Sequence, residues 1–169
     1  WFFDEFADRD PRLYDNIDPA GLRIEGSGVV AYAATGYFAH LFVNPSLLNV
    51  PGGMSSTNIT DAPVMKYNEV LMNYIEAAAE LADMGAYTLT QSDFDKTINA
   101  VRNRPSTSMP AVTLAGTNLA VNGITINDPD RDKGTMIAGD YEVSPILWEV
   151  RRERRTELPY QGIRFHDLR

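Results

Sequence analysis

Three stretches of this chain carry the apolar rhythm of an amphipathic helix, and the segments between them do not. Over residues 64–84, Val70, Tyr74, Ala77, Ala78 and Leu81 fall at steps of 4, 3, 1 and 3, which places them on one helical stripe. Leu71, Ile75 and Ala79 carry apolar surface further round the cylinder, so this helix wants neighbours on more than one side. Gly85 follows as a natural C-cap residue. A second helix is predicted over 92–102, with Ser92 as N-cap and Asp93 and Asp95 in a first turn that favours anions. Its stripe is Phe94, Ile98 and Val101, and Pro105 closes it. The short link between these two helices implies an antiparallel helical hairpin. A third helix starts at Ser144-Pro145, an N-cap followed by Pro at the first helical position. It runs to about residue 158, where Pro159 forces a break.

The remaining chain has other patterns. Trp1, Phe2, Phe3 and Phe6 make one apolar helical face that stops at Asp10-Pro11. Residues 29–43 are aromatic and β-prone, enough for one or two short strands. Residues 44–63 hold Asn44-Pro45 and Pro51-Gly52-Gly53 and are predicted as loop. Residues 105–143 are rich in Pro, Gly and Asn, with a short apolar alternation over 119–126. They are predicted as loop with one short β-hairpin. Residues 162–169 resume helical character. The fold class is mostly α, with long irregular loops.

At 169 residues and 44% hydrophobic, the chain can build the core of one globular domain or a large piece of one. Its longest apolar stretches, 29–34 and 37–43, are far too short to cross a bilayer as a helix. The net charge of −8 repels phosphate backbones and argues against a nucleic-acid partner. With no cysteine, the sequence has no disulfide, thiolate nucleophile or cysteine-based zinc site. His40 and His166 are the only histidines, and neither belongs to a helical His pair or an HExxH motif, so zinc or Ser-His-Asp chemistry has no support. Gly26-Ser27-Gly28 lacks both the Walker lysine and the Rossmann spacing. No cofactor and no metal are expected. The sequence opens at Trp1 with no signal-peptide pattern.

Four groups of residues invite a chemical reading. Glu69, Glu76 and Glu80 share one helix face. Glycoside hydrolysis needs two carboxyls flanking one bond, which spacing along a single helix does not supply. Ion pairing with Arg102, Arg104 or the arginines of 151–155 is expected instead. The Arg/Glu run 149–157 is expected to tie neighbouring helices through guanidinium–carboxylate forks. Asn127-Asp128-Pro129-Asp130-Arg131-Asp132-Lys133-Gly134 spaces acids by two like a calcium loop. However, Lys133 stands where the Gly belongs, and Gly139 where the bidentate Glu would be. A solvated acidic turn is expected there. Sugar binding needs exposed aromatic faces beside hydrogen-bonding groups. Trp1, Phe2, Phe3, Tyr32, Tyr37, Phe38 and Phe42 are the candidates, and Tyr37, flanked by Gly36 and near Asn44, is the one selected. Trp148 is expected in the core.

Three of the predicted segments also resemble a known family. Lys66-Tyr67-Asn68-Glu69-Val70-Leu71-Met72-Asn73-Tyr74-Ile75-Glu76-Ala77 is similar to the R-Y-A-E-V-L-L-x-Y-A-E-A helix of the SusD/RagB family. Ile98-Asn99-Ala100-Val101-Arg102-Asn103-Arg104 is similar to its I-N-x-V-R-x-R. Ile146-Leu147-Trp148-Glu149-Val150-Arg151-Arg152-Glu153-Arg154-Arg155-Thr156-Glu157-Leu158, with Gly162-Ile163-Arg164-Phe165-His166-Asp167-Leu168-Arg169, resembles its I-x-x-E-R-R-x-E-L-x-F-E-G-x-R-W-x-D-L-R signature. Asp8-Arg9-Asp10-Pro11-Arg12-Leu13 and Thr35-Gly36-Tyr37 are weaker family-like pieces. Lys66, Asn68, Ile75, Pro159 and Gln161 depart from the family pattern.

The resemblance implies tetratricopeptide-like helix pairs as scaffold. It implies that residues 1–169 are the C-terminal part of a single SusD/RagB-like domain whose upstream part is absent. It further implies a non-catalytic, lipid-anchored protein of the outer-membrane surface that binds a glycan or other nutrient and delivers it to a SusC-like TonB-dependent transporter. The alternative reading is a helical-repeat module with a protein partner.

Overall fold

The computed structural model describes residues 10–12, 16–18, 38–39, 63–127 and 143–161. The chain divides into two compact units, Trp1–Met65 with Pro159–Arg169, and Lys66–Leu158. In the first unit, β1 (Ile17–Asp18) pairs antiparallel with β2 (Phe38–Ala39), in register Ile17 with Ala39 and Asp18 with Phe38. The second strand lies inside the β-prone stretch 29–43. Asp10 and Arg12 are buried in this unit and form an ion pair, with the Arg12 Nε donating to Asp10 Oδ1 at 2.8 Å.

The second unit is built on α1 (Tyr67–Asp83), α2 (Gln91–Lys96), α3 (Ile98–Arg102) and α4 (Pro145–Glu157), with a sheet of β3 (Val112–Ala115), β4 (Asn118–Val121) and β5 (Ile124–Thr125). Helix α1 ends in a Schellman motif: Ala86 N–H donates to Leu81 C=O at 2.8 Å and Gly85 N–H to Ala82 C=O at 2.9 Å, with Gly85 at φ 72°. Helix α4 starts as its sequence dictates, with the Ser144 hydroxyl accepting from Leu147 N–H at 3.1 Å and Pro145 following the cap. Helix α1 packs on α4, and α4 on β4. Met72, Ile75, Ala79, Phe94, Ile98, Val101, Val112, Leu119, Leu147 and Val150 fill the space between them. Trp148 is buried, as its place on an apolar-faced helix implies. Among the described residues no helix is long and apolar enough to cross a membrane.

Three local expectations change. The buried face of α1 is Met72, Ile75, Ala78 and Ala79, while Val70, Tyr74, Ala77 and Leu81 of the predicted stripe lie on the open side. The helix predicted over 92–102 is two short helices. Its N-cap position is Thr90 rather than Ser92, and it breaks at Thr97, whose hydroxyl donates to the Asp93 carbonyl at 2.6 Å. Such back-bonding competes with the helical ladder. The single hairpin expected in 105–143 is a three-stranded antiparallel sheet in the order β3-β4-β5. Its turns are Gly116-Thr117 and Asn122-Gly123, and the latter pair has φ 52° and 77°, the positive-φ pattern of a type I′ hairpin turn.

Candidate functional site

The polar residues of α4 are unusual in lying inward. Glu149, Arg152, Glu153, Arg154, Thr156 and Glu157 are all buried, and charges are seldom buried unless paired. Arg102 of α3 donates from Nε to Glu153 Oε1 at 2.9 Å and also pairs through Nη2. Arg104, just past α3, donates to Glu157 Oε2 at 2.8 Å, and Asn68 of α1 donates to Glu157 Oε1 at 2.6 Å. Arg151 pairs with Glu76 and Glu80, and Arg154 with Glu76 at 3.3 Å and Asn73. Arg152 closes on Glu149 within α4 at 2.8 Å. Arg155 lies over the Trp148 ring, 5.6 Å from its centroid.

The arginine forks therefore clamp α1 and α3 to α4, and Glu76 and Glu80 are engaged in that clamp. Both carboxylates lie on one helix and are taken up by guanidinium groups, which is not the facing arrangement that glycoside hydrolysis needs. Among the described residues no cluster of three or more His, Cys, Asp or Glu could hold a metal ion.

The stretch Ile98-Asn99-Ala100-Val101-Arg102-Asn103-Arg104 acquires a structural meaning. Ile98 and Val101 enter the core, and Arg102 and Arg104 reach α4. Asn99 meets Val112 of β3 with both ends of its amide: Nδ2 donates to the carbonyl at 2.9 Å, and Oδ1 accepts from the N–H at 2.7 Å. Gln91 repeats the arrangement, donating to Val112 C=O at 3.1 Å and accepting from Leu114 N–H at 2.7 Å. Sequence patterning did not flag these amides, because their partners lie 13 to 23 residues away.

One cluster combines exposed aromatic rings with a buried acid. Tyr74 and Tyr87 both donate to Asp93 Oδ1, at 3.1 and 3.0 Å. Asp93 Oδ2 accepts from Thr90 N–H and Thr90 Oγ1, each at 2.8 Å. Burial pushes the Asp93 carboxyl up, but the hydrogen bonds from Thr90, Tyr87 and Tyr74 outweigh it and hold the group below its ordinary 3.8. The hydrogen bond with Tyr74, and then that with Asp93, push the Tyr87 phenol up to about 12.

The signs of the two pH dependences follow. A depressed acid contributes stability above its unfolded value of 3.8, lost as pH falls through its folded value. A raised phenol contributes stability below 10.0, lost as pH rises through about 12. The stability gap between wild type and Asp93→Ala is expected to be open at neutral pH and to close below 3.8 in acid-denaturation curves. In phenolate absorbance titrations, a tyrosine titrating near 12 should vanish in Tyr87→Phe.

Tyr37, Trp1, Phe2, Phe3, Tyr32, Phe42, His40, His166 and the acidic turn beyond Asn127 lie outside the described residues, and Phe38 falls in β2. The structure thus brings together the charged motif residues of α1, α3 and α4.

A comparison with known families covers the stretch that holds these motif residues. The model of the SusD family matches residues 25–169. This chain belongs to the SusD family. A solved structure, a SusD-like carbohydrate binding protein from Bacteroides fragilis, is similar at 26% identity and a TM-score of 0.54. The match covers 98% of this chain and 30% of that one, so this chain spans about a third of its length. No curated protein matches. SusD-family proteins are non-catalytic binding proteins.

Proposed function

We propose that this chain is the C-terminal part of a single SusD-like domain, in a protein that captures a glycan at the outer-membrane surface. The observation that carries the reading is the family match over residues 25–169, joined to the likeness to a carbohydrate binding protein. The protein is lipid-anchored through an upstream segment and hands its ligand to a SusC-like TonB-dependent transporter. Within it, α1 with α2 and α3 is one tetratricopeptide-like pair of the scaffold, and α4 opens the next. Capture rests on aromatic faces stacking on the C–H face of a pyranose beside hydrogen-bonding groups, and Tyr37 is the aromatic assigned to that role.

The test is affinity electrophoresis of the full protein through gels containing a panel of soluble polysaccharides. At least one should retard it, with no new reducing ends after prolonged incubation. Tyr37→Ala is expected to weaken that retardation about tenfold, equivalent to about 1.4 kcal/mol. Free migration of the wild type through every gel sinks the glycan reading. Retardation unchanged in Tyr37→Ala sinks only the assignment of that residue.

A further inference from the structure

Residues 91–102 hold none of the residues that usually interrupt a helix. The segment contains no Gly and no Pro, and sharp kinks ordinarily trace to those residues or to an inserted group. Phe94, Ile98 and Val101 are buried and fall on one stripe that a continuous helix would also keep on the core. The helix nonetheless stops at Lys96 and restarts at Ile98, with Thr97 between them at φ −120° and ψ −92°. The ladder resumes where Val101 N–H donates to Thr97 C=O at 3.1 Å. The Thr97 hydroxyl bond to Asp93 C=O weakens the ladder there, but such back-bonding by itself bends a helix without ending it.

A single carbonyl of β3 ties the two sides of the break together. Gln91 of α2 donates to Val112 C=O at 3.1 Å, and Asn99 of α3 donates to the same oxygen at 2.9 Å. Asp95 Oδ1 also accepts from both amides, at 2.9 and 2.8 Å. The other end of each amide is fixed on the same strand, Asn99 on Val112 N–H and Gln91 on Leu114 N–H. Gln91 and Asn99 stand eight residues apart, about 12 Å of rise in an unbroken helix, and Thr97 lies between them. The strand therefore staples α2 and α3 across the interruption.

We propose that Thr97 is a hinge held bent by β3, and that 91–102 relaxes toward one continuous helix when the Val112 staple is released. Helix α3 is anchored on α4 through Arg102, and Arg104 just past it holds Glu157, so α2 is the half that swings. It carries Asp93, which accepts from the Tyr74 hydroxyl of α1 and from Tyr87. Docking of the sheet and the contact of α2 with α1 are then two faces of one two-state element. Local opening of β3 is felt at Tyr74 and Tyr87 without any change in the residues that surround them.

The test measures the span of the segment in the full protein. Ser92 and Asn103 are exposed on either side of the hinge, and these residues contain no cysteine that would compete for label. Nitroxides on Ser92→Cys and Asn103→Cys, as the only cysteines, are read by dipolar electron paramagnetic resonance. The background without the staple is Gln91→Ala with Asn99→Ala, since alanine favours helix at both positions. The distance should lengthen on releasing the staple, toward the about 16 Å of axial rise that eleven residues give in one helix. Amide exchange at Ile98 should slow at the same time, because its N–H gains a ladder partner in Phe94 C=O, whereas a merely structural loss speeds exchange throughout. An unchanged distance in a variant whose circular dichroism shows it folded overturns the proposal, and so does faster exchange at Ile98. Where the double variant fails to fold, Gln91→Ala alone is read, with Asn99 still in place. It should add a longer population to the distance distribution, and a single unchanged distance there overturns the proposal equally.

Discussion

Truncating Glu153 to Ala is expected to lower stability by about 3–5 kcal/mol, the cost of stranding one half of a buried ion pair. Both partners are almost fully shielded, Arg102 at 3% and Glu153 at 0% side-chain exposure. The loss leaves a guanidinium with fewer acceptors in a medium that solvates it poorly. For a chain of this size that corresponds to a fall in Tm on the order of 10 °C. The sharper form of the test is a double-mutant cycle, Arg102→Met with Glu153→Leu, followed by urea denaturation. Because the pair's attraction and its desolvation nearly cancel, the double variant should be more stable than Glu153→Ala alone. It still loses the Arg102 hydrogen bond to the Pro110 carbonyl, 3.0 Å in the wild type, a deficit of about 1 kcal/mol. Strictly additive losses would show that the two charges do not depend on each other.

Asn99→Asp is expected to be the second most damaging change, at about 3 kcal/mol, and worse than Asn99→Ala. An aspartate keeps the acceptor for Val112 N–H but loses the donor that now reaches both Val112 C=O and Asp95 Oδ1, the latter at 2.8 Å. The introduced carboxylate then faces a carbonyl and a second carboxylate. Protonation should relieve the repulsion, so the deficit should shrink as pH falls toward 4. Thermal melts across that range, with amide exchange at Val112 and Leu114, check it. A variant that melts like wild type with those amides still protected would remove Asn99 from the role assigned to it.

The helices were legible in the sequence wherever their signals are local. Gly85 ends α1 and Ser144-Pro145 starts α4 because cap chemistry is read within a few residues. Which face of α1 turns inward was not legible, since both Val70-Tyr74-Leu81 and Met72-Ile75-Ala79 are apolar rows. The choice is made by α4, whose Arg151 and Arg154 need Glu76, Glu80 and Asn73 on their side. That decision lies more than 70 residues away in the chain. The sheet is a different case: the alternation over 119–126 with Asn122-Gly123 is a strong hairpin signal and accounts for β4 and β5, while β3 (Val112–Ala115) lies outside that alternation. The Arg/Glu run was legible as structural, because buried charges on a helix find partners on the helices beside it. Tyr37 drew on the aromatic content of 28–44, which is a matter of composition and places no ring in space.

The amide clamps on β3 also bear on how the folded chain meets its neighbours at high concentration. In the order β3-β4-β5 the first strand is an edge, and a bare edge recruits strands from other molecules. Here Val112 N–H, Val112 C=O and Leu114 N–H, three groups along that edge, are already taken by Asn99 and Gln91. A stray β-segment arriving on that side finds these ladder positions already occupied. Resistance to strand-templated clumping is thus built in by two uncharged side chains, and it is strongest on the flank where α2 and α3 stand guard.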